Sequence, residues 1–308
     1  MRQRLVLIAI VCSWAGFLAV PPALHAWGCE GHQIVATIAA GQLTPNARTQ
    51  VNALLKNNPI APSLKRFCKT SGLTNMQDGA TWADDVKKSN GTDKEHFVDV
   101  PRTDTTGDLA AACPGDQCIT RAIAKNIGIL QSDASSDAQK ADALRYLLHY
   151  AGDISQPLHC IDNNDRGGNC VLVKGATPPG KTKEKLHSVW DTAFVRQVMN
   201  GRSVGTTAAA IAKKFKTDIA TWKTEEADPD AWALEAHEIG EDVAYEKLPG
   251  GGPDPEEPAN PPSDTCSVPA PAAISLNTAY RNAAKAAITE QLAKGGARLA
   301  LLLNSVWP

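Results

Sequence analysis

The stretch "LHYAGDISQPLHC", residues 148–160, places His149 and Asp153 four residues apart. A later stretch, "LHSVWDT", repeats this spacing with His187 and Asp191. Residues four apart lie on the same face of an α-helix. The sequence therefore predicts two helical faces, each with an imidazole one turn away from a carboxylate.

These His–Asp pairs point to a metal site. A single buried histidine is more often structural than a ligand, but here His159 follows the first pair closely. Burying each carboxylate would be costly unless its charge were paired, and a metal ion pairs it while using the imidazole lone pairs. Imidazole and carboxylate ligands without thiolate favour a catalytic zinc over a structural one. Several such ligands indicate more than one ion, an arrangement suited to hydrolysis of phosphate esters.

The first 26 residues have the pattern of a secretory signal peptide. Two arginines precede an apolar run from Leu5 to Val20, and small residues follow. We expect cleavage after Ala26 and a secreted or periplasmic protein. Leu24 stands where a small residue is usual, so a retained membrane anchor is the alternative; no later stretch is apolar enough to span a bilayer.

The mature chain, Trp27–Pro308, has a length typical of one domain with a large core. Of the 31 basic and 33 acidic residues, two arginines leave with the signal, so 29 basic and 33 acidic residues remain, a net charge of −4. This balance argues against an extended basic surface for duplex nucleic acid. Bound metal would still make a local positive site.

Export predicts that most cysteines form disulfides. The short segments "CPGDQC" and "CIDNNDRGGNC" favour the pairs Cys113–Cys118 and Cys160–Cys170. Cys29, Cys68 and Cys266 are then left, so one thiol is odd, and the connectivity stays open.

The pattern of apolar residues predicts an all-α protein, a single compact helical domain. In "TPNARTQVNALLKNN", Thr44 is expected to cap a helix that Pro45 opens. The longest helix is expected near the C-terminus, with a local break in helical structure at Gly295–Gly296. Residues 246–272 are rich in Pro and Gly and predict a flexible loop. No alternating pattern is long enough to suggest a sheet.

Six motifs occur in the order and spacing of one family: "WGCEGH", "WADDVK", "HFVDVP", "LHYAGDISQPLHC", "DRGGN" and "LHSVWDT". On these motifs the chain resembles the secreted zinc-dependent single-strand nucleases of fungi and the bifunctional nucleases of plants. Zinc-dependent phospholipases C are more distant relatives. The C-terminal segment "AITEQLAKGGARLALLLN" is also similar, so the resemblance covers nearly the whole mature chain.

The resemblance implies three zinc ions in a cleft of an all-helical fold. The implied ligands are Asp84, His96, His149 and Asp153 for the first ion; His159, His187 and Asp191 for the second; and His32, a bridging Asp153 and the amino nitrogen and carbonyl oxygen of Trp27 for the third. Gly152 would let a neighbouring helix or metal approach, and Pro157 would turn the chain towards the ions. An ordinary helix end is the alternative for both.

The resemblance also implies roles beside the metals. Asp99 would orient the attacking water, and Lys87 would stabilise phosphate charge. Phe97 would stack on a base, and Asn169 would bind the base edge. The alternatives are a surface salt bridge for Asp99, a solvated lysine for Lys87 and core packing for Phe97.

The expected activity is that of an endonuclease and 3′-nucleotidase, acting on single-stranded DNA, RNA and nucleotides and leaving 5′-phosphates. We expect a monomer without a membrane anchor after processing. A phospholipase C with the same metals is one alternative and should have an apolar rim for lipid tails. A zinc-binding module without catalysis is another.

Overall fold

Helices make up most of the chain. The computed structural model describes residues 27–70, 72–176, 183–250, 252, 254, 266 and 272–308. The α-helices are α1 (Cys29–Ala40), α2 (Pro45–Asn57), α3 (Met76–Gly79), α4 (Trp82–Asn90), α5 (Ile119–Gln131), α6 (Asp137–Asp153), α7 (Leu186–Ser188), α8 (Val195–Met199), α9 (Val204–Lys214), α10 (Lys216–Trp222), α11 (Pro229–Ile239) and α12 (Thr278–Val306). Short 3₁₀-helices span Asp93–His96, Pro114–Asp116 and Pro157–His159, and π-helical turns span Val189–Phe194 and Gly240–Tyr245.

The all-α prediction is confirmed, with one small addition. Three strands, β1 (Leu172–Lys174), β2 (Glu184–Lys185) and β3 (Ile274–Ser275), form a sheet in the order β2-β1-β3. Strand β1 pairs antiparallel with β2 and parallel with β3. Strands of two or three residues are too short to show an alternating pattern, which is why the sequence did not reveal them.

Two regions predicted from sequence fall outside the described residues. One is the signal peptide, residues 1–26, and the other is most of the Pro/Gly-rich loop at 246–272. No helix in the part of the chain that the structure describes is both long and apolar enough to cross a membrane.

Local sequence sets the beginnings of the helices that support the site. The Thr44 hydroxyl accepts a hydrogen bond from the Ala47 amide at 3.1 Å, and Pro45 occupies the first turn, as predicted. Helix α6 begins with a capping box in which Ser136 and Gln139 satisfy each other's backbone amides. These caps stabilise helix ends that would otherwise leave amides without partners.

Helix α12 is continuous through Gly295–Gly296, so the predicted interruption is wrong. The glycines let α12 pack closely on its neighbours: a Cβ added at Gly296 would lie 2.5 Å from Ile38 Cγ2 on α1. Helices α1 and α12 share the most extensive helix–helix contact among the described elements. Close packing around these glycines, rather than helix propensity, explains their place in the helix.

Helix α6 runs through the centre of the molecule and ends at the site. Its last seven residues, 147–153, are all buried. It packs against α5, α1 and α12, and the helix stops at Asp153. A short turn then leads into the 3₁₀-helix opened by Pro157, where His159 is buried and bonds the His96 carbonyl. The predicted turn at Pro157 is confirmed.

The disulfides differ in part from the prediction. Cys113–Cys118 forms as expected. The predicted pair Cys160–Cys170 is wrong: Cys170 bonds Cys266, and Cys160 is a buried free thiol. Cys160 directly follows His159 and its side chain points into the core, where its thiol donates to a backbone carbonyl at 3.6 Å. The third bridge joins Cys29 to Cys68.

We expect Gly296→Ala to lower the midpoint of thermal unfolding. Overfilling a packed site costs about 1–3 kcal/mol, which opposes the roughly 1 kcal/mol that alanine gains over glycine in a helix. Gly128→Ala is the matched control, because a Cβ at this exposed position in α5 meets no atom within 4 Å. The control should raise the midpoint slightly. A rise of the same size in both variants would contradict close packing between α1 and α12.

Candidate metal centre

Four side chains from α4, α6 and the 3₁₀-helix at 93–96 converge on one point. His96 Nδ1, His149 Nε2 and Asp153 Oδ2 lie 3.0–3.1 Å from one another. Asp84 Oδ1 lies 3.9 Å from the first nitrogen and 3.8 Å from the second. Ligands that sit about 2.0–2.1 Å from a tetrahedral zinc ion lie roughly 3.3 Å apart, so these spacings fit one ion.

A second group, which corresponds to the third ion implied by the sequence, shares Asp153 with the first group. The other carboxylate oxygen of Asp153, Oδ1, lies 3.2 Å from His32 Nε2 on α1. The two atoms are close but not in hydrogen-bonding geometry, and both are buried without a hydrogen-bond partner among the described residues. Leaving such atoms unsatisfied costs about 1–3 kcal/mol each. A cation between them would satisfy both, so His32 and Asp153 fit a metal site that adjoins the first.

The third group corresponds to the second ion implied by the sequence. It consists of His159, His187 and Asp191, whose candidate ligand atoms lie within 4.8 Å of one another. His187 Nε2 is 3.4 Å from Asp191 Oδ2, which confirms that the second His–Asp pair shares a face. His159 Nε2 is buried without a hydrogen-bond partner among the described residues. The backbone between the pair passes from α7 into a π-helical turn, a feature frequent at functional sites.

Backbone carbonyls fix the tautomers of three of these histidines. In each, Nδ1 lies within hydrogen-bonding distance of a carbonyl oxygen, which can only accept, so Nδ1 carries the proton and Nε2 keeps its lone pair. The bonds join His149 to Ala80, His159 to His96 and His187 to Gly167 at 2.7, 2.8 and 2.7 Å. This is the arrangement that orients histidine ligands around a metal ion.

Burial lowers the pKa of two of the histidines, whereas for His149 the effect of Asp153 and Asp84 outweighs burial and raises the pKa. Burial and the neighbouring His149 lower the pKa of His32 to about 4. Burial and the neighbouring His159 lower the pKa of His187 to about 3. Both imidazoles are therefore neutral at neutral pH, the form that binds metal.

The two carboxylates respond in opposite ways. Burial alone would raise the pKa of Asp153, but the neighbouring imidazoles of His149 and His32 outweigh it and hold the pKa well below its ordinary value. Burial raises the pKa of Asp191 well above its ordinary value, although Gln156 partly opposes this. Metal binding at the third group would therefore be coupled to loss of a proton from Asp191.

Two further side chains each bond a carboxylate of the candidate metal groups. Gln156 Nε2 donates to Asp191 Oδ1 at 2.6 Å and so orients this carboxylate. Sequence analysis missed Gln156, because its place in the turn after α6 depends on tertiary structure; its position inside "DISQPLH" was the only available signal. Lys87 is buried and donates to Asp84 Oδ1 at 2.9 Å, so a freely solvated lysine is excluded.

The residues expected to contact substrate lie on segments that adjoin the metal groups. Phe97 and Asp99 follow His96, and both are partly exposed while the residues between and after them are buried. Phe97 lies outside the hydrophobic clusters formed by the described residues, which argues against core packing. Asn169 is buried, donates to the Arg166 carbonyl at 2.8 Å, and has its Oδ1 without a partner among the described residues.

Trp27 lies beside the second metal group. Its side chain is fully buried, and a Cβ added at Gly152 would approach both the Trp27 ring, at 3.5 Å, and His32 Nδ1, at 2.7 Å. The next amide, that of Gly28, donates to the Asp191 carbonyl at 2.8 Å. The start of α1 is thus held between the second and third groups, and Gly152 admits the neighbouring helix, as predicted.

The helical fold thus carries three His/Asp groups that could hold metal ions, and the two oxygens of Asp153 face two of these groups. Such a site is suited to the hydrolysis of phosphate esters on metal ions. The family model described as S1/P1 Nuclease matches residues 27–308. The chain therefore belongs to the S1/P1 nuclease family and is a hydrolase that acts on nucleic acid.

Curated relatives agree with this assignment. The chain is 27% identical to Endonuclease 2 of Arabidopsis thaliana over 98% of this chain and 97% of that protein. It is 26% identical to Endonuclease 5 of the same plant over 91% and 90% of the two chains. It is 30% identical to Nuclease S1 of Aspergillus oryzae over 66% and 67%.

We expect Gly152→Ala to reduce the metal content of the purified protein. The added Cβ would displace the His32 ring from Asp153, so the second group would lose its geometry while the third stays intact. Elemental analysis of metal per chain measures this, with circular dichroism to check the fold. Gly205→Ala on α9, where a Cβ meets nothing within 4 Å, is the control. Equal metal content in both variants would contradict the role of His32 as a ligand.

Proposed function

We propose that the protein is a secreted zinc-dependent endonuclease and 3′-nucleotidase that hydrolyses single-stranded DNA and RNA to products with 5′-phosphates. The observation that carries the proposal is the sharing of Asp153, whose two oxygens face different metal groups in a chain of a nuclease family. Adjacent divalent ions can stabilise both the attacking and the leaving oxygens of a phosphodiester.

The donor set supports zinc. Six cysteines of the proposed mature chain are in disulfides and Cys160 is turned into the core, which supports a donor set of nitrogen and oxygen atoms. Neutral imidazoles with carboxylates suit catalytic zinc. When bound, zinc would supply activated water and neutralise phosphate charge. The proposed ligand sets are Asp84, His96, His149 and Asp153; His159, His187 and Asp191; and His32, Asp153 and the terminal amine and carbonyl of Trp27.

We assign Asp99 the task of orienting the attacking water, since it lies three residues after His96 and is open to solvent in part. The Lys87 ammonium, beside Asp84, is placed to contribute positive charge where a phosphate would enter. Both residues act on groups beside the metal ions rather than as ligands. Substitution of either side chain would therefore change the rate of hydrolysis without changing the metal content.

Preference for single strands rests on Phe97 and Asn169. An aromatic ring outside the core can stack on a base only when that base is unpaired, and stacking is worth about 1–3 kcal/mol per base. Asn169 Oδ1 has no hydrogen-bond partner among the residues that the structure describes and would be an acceptor for a donor on the base edge. Duplex nucleic acid presents neither its ring faces nor its pairing edges, which gives the expected preference.

Export is supported by three observations. Residues 1–26 have the pattern of a signal peptide, the family match begins at Trp27, and three disulfides form among the described residues. Disulfides persist in oxidising compartments. The monomeric state is a further part of the proposal and is open to sedimentation analysis.

A panel of substrates tests the function. Purified protein loaded with zinc should hydrolyse single-stranded DNA, RNA and a 3′-nucleotide, and leave duplex DNA and phosphatidylcholine largely intact. A chelator should abolish the activity, and added zinc should restore it. Preferential release of phosphocholine would identify a phospholipase C instead. Failure to hydrolyse any substrate with full metal content would leave only a zinc-binding module.

We expect Asp99→Asn to lower kcat by about 10²–10⁴-fold, the range for loss of a general base, while metal content stays unchanged. Asp93→Asn, at an exposed position in the same segment, is the control and should keep its activity. Loss of metal in the Asp99 variant would instead make Asp99 a ligand.

The proposed terminal ligand makes a prediction about processing. Only a free amine has a lone pair for zinc, so an extra alanine before Trp27 should remove this ligand and displace the chelating carbonyl. The extended protein should hold less zinc than protein that begins at Trp27, and should be less active. The control is an alanine added after Pro308. Equal zinc content and activity with either extension would contradict the terminal-amine ligand.

A further inference from the structure

The loop before α3 presents an exposed aromatic side chain. Phe67 is 53% exposed. Among the residues that the structure describes, it is the one large hydrophobic residue with an exposed side chain. A single exposed apolar side chain is common on protein surfaces, so the significance of this ring depends on how the loop is held and on the residues beside it.

Exposure alternates along this loop. Leu64, Arg66 and Cys68 are turned towards the protein, whereas the side chains between and after them are exposed. Leu64 packs against the small cluster around Trp82, and Cys68 is bonded to Cys29. The inward residues therefore fix the loop.

Arg66 provides the firmest attachment. Its guanidinium donates to Asp85 Oδ2 at 2.8 Å, to the Asp78 carbonyl at 2.8 Å and to the Thr81 hydroxyl at 2.9 Å. The Phe67 amide donates to the other oxygen of Asp85 at 2.7 Å. The backbone that carries the ring is thereby tied to α4.

These attachments hold the backbone of the loop beside two elements that carry proposed ligands. Asp85 is the neighbour of the ligand Asp84 on α4. The Cys29–Cys68 bridge brings the two Cα atoms to 5.5 Å, and Cys29 is two residues after Trp27, a span of at most about 7 Å. The loop is thus fastened both to α4 and to the start of α1, and both elements carry proposed ligands.

The outward residues are Lys65, Phe67 and Lys69, an exposed aromatic ring between two exposed lysines. Proteins that bind single-stranded nucleic acid combine stacking on aromatic rings with cations that contact the backbone phosphates. The chain as a whole is slightly acidic, with a net charge of −2, so this local grouping of positive charge does not follow from composition.

We propose that Lys65, Phe67 and Lys69 form a second subsite for single-stranded nucleic acid, in which a base stacks on Phe67 and adjacent phosphates pair with the two lysines. The subsite rests on the proposed function and deepens it, because it would bind nucleotides of the strand other than the one on Phe97. It would make longer strands better substrates than short ones.

The test compares Phe67→Ala and Phe67→Tyr with the natural protein, each as the full mature chain loaded with zinc. On a single-stranded oligonucleotide of about twelve nucleotides, Phe67→Ala should raise KM roughly tenfold with little change in kcat, and Phe67→Tyr should retain a low KM. On a base-free phosphodiester, all three proteins should be alike. Because Phe67 is exposed, the unfolding midpoint should not change.

The lysines are tested by salt dependence. In the double variant Lys65→Ala/Lys69→Ala, the slope of log affinity against log salt concentration should become less steep by about 0.7 per lost phosphate contact. Fluorescence anisotropy with a labelled phosphorothioate oligonucleotide measures the affinity. Lys213→Ala/Lys216→Ala removes the same charge from exposed positions outside the loop and should keep the slope.

Two results would overturn the subsite. One is an unchanged KM for the oligonucleotide in Phe67→Ala, and the other is the same salt slope in the two double-lysine variants. Either result, with normal hydrolysis by the natural protein, removes the subsite and leaves the proposed nuclease activity standing. Absence of hydrolysis by the natural protein would instead remove the proposed function.

Discussion

The arrangement of the site depends on the carboxylate of Asp153, which is fully buried at the end of α6 among the imidazoles of His32, His96 and His149. A carboxylate in such a place is costly unless its charge is compensated. Burial lowers the pKa of His32 and of His96, so these two imidazoles add little positive charge at neutral pH, whereas for His149 the effect of Asp153 and Asp84 outweighs burial and raises the pKa. Metal cations on both sides of Asp153 would meet this requirement and would account for the two groups that adjoin there.

The fold holds these proposed ligands in fixed orientations. Helix α6 supplies Asp153 and His149, while α1, packed closely on α12 through Gly296, brings His32 to the other oxygen. Backbone carbonyls at Ala80, His96 and Gly167 fix which nitrogen of each partner histidine is free to bind. Ligands held in this way lose little freedom when metal binds, which favours tight binding.

Much of the His/Asp clustering was readable from sequence because the residues of the two pairs lie on short motifs with helical spacing. His149 with Asp153 and His187 with Asp191 needed only the four-residue period, and Thr44 marked a helix start. Other features depend on contacts between distant segments. The pairing of Cys170 with Cys266, 96 residues away, belongs to this class. So does the orientation of Gln156 towards Asp191, which no local pattern encodes.

The central claim is that metal ions lie on both sides of Asp153. Anomalous X-ray diffraction from a crystal of the zinc-loaded protein, collected on either side of the zinc absorption edge, tests it directly. The account predicts three zinc peaks: one among Asp84, His96, His149 and Asp153, one between His32 and Asp153, and one at the His159 group. Ordered side chains around Asp153 with no anomalous peak at either of its oxygens would contradict the account.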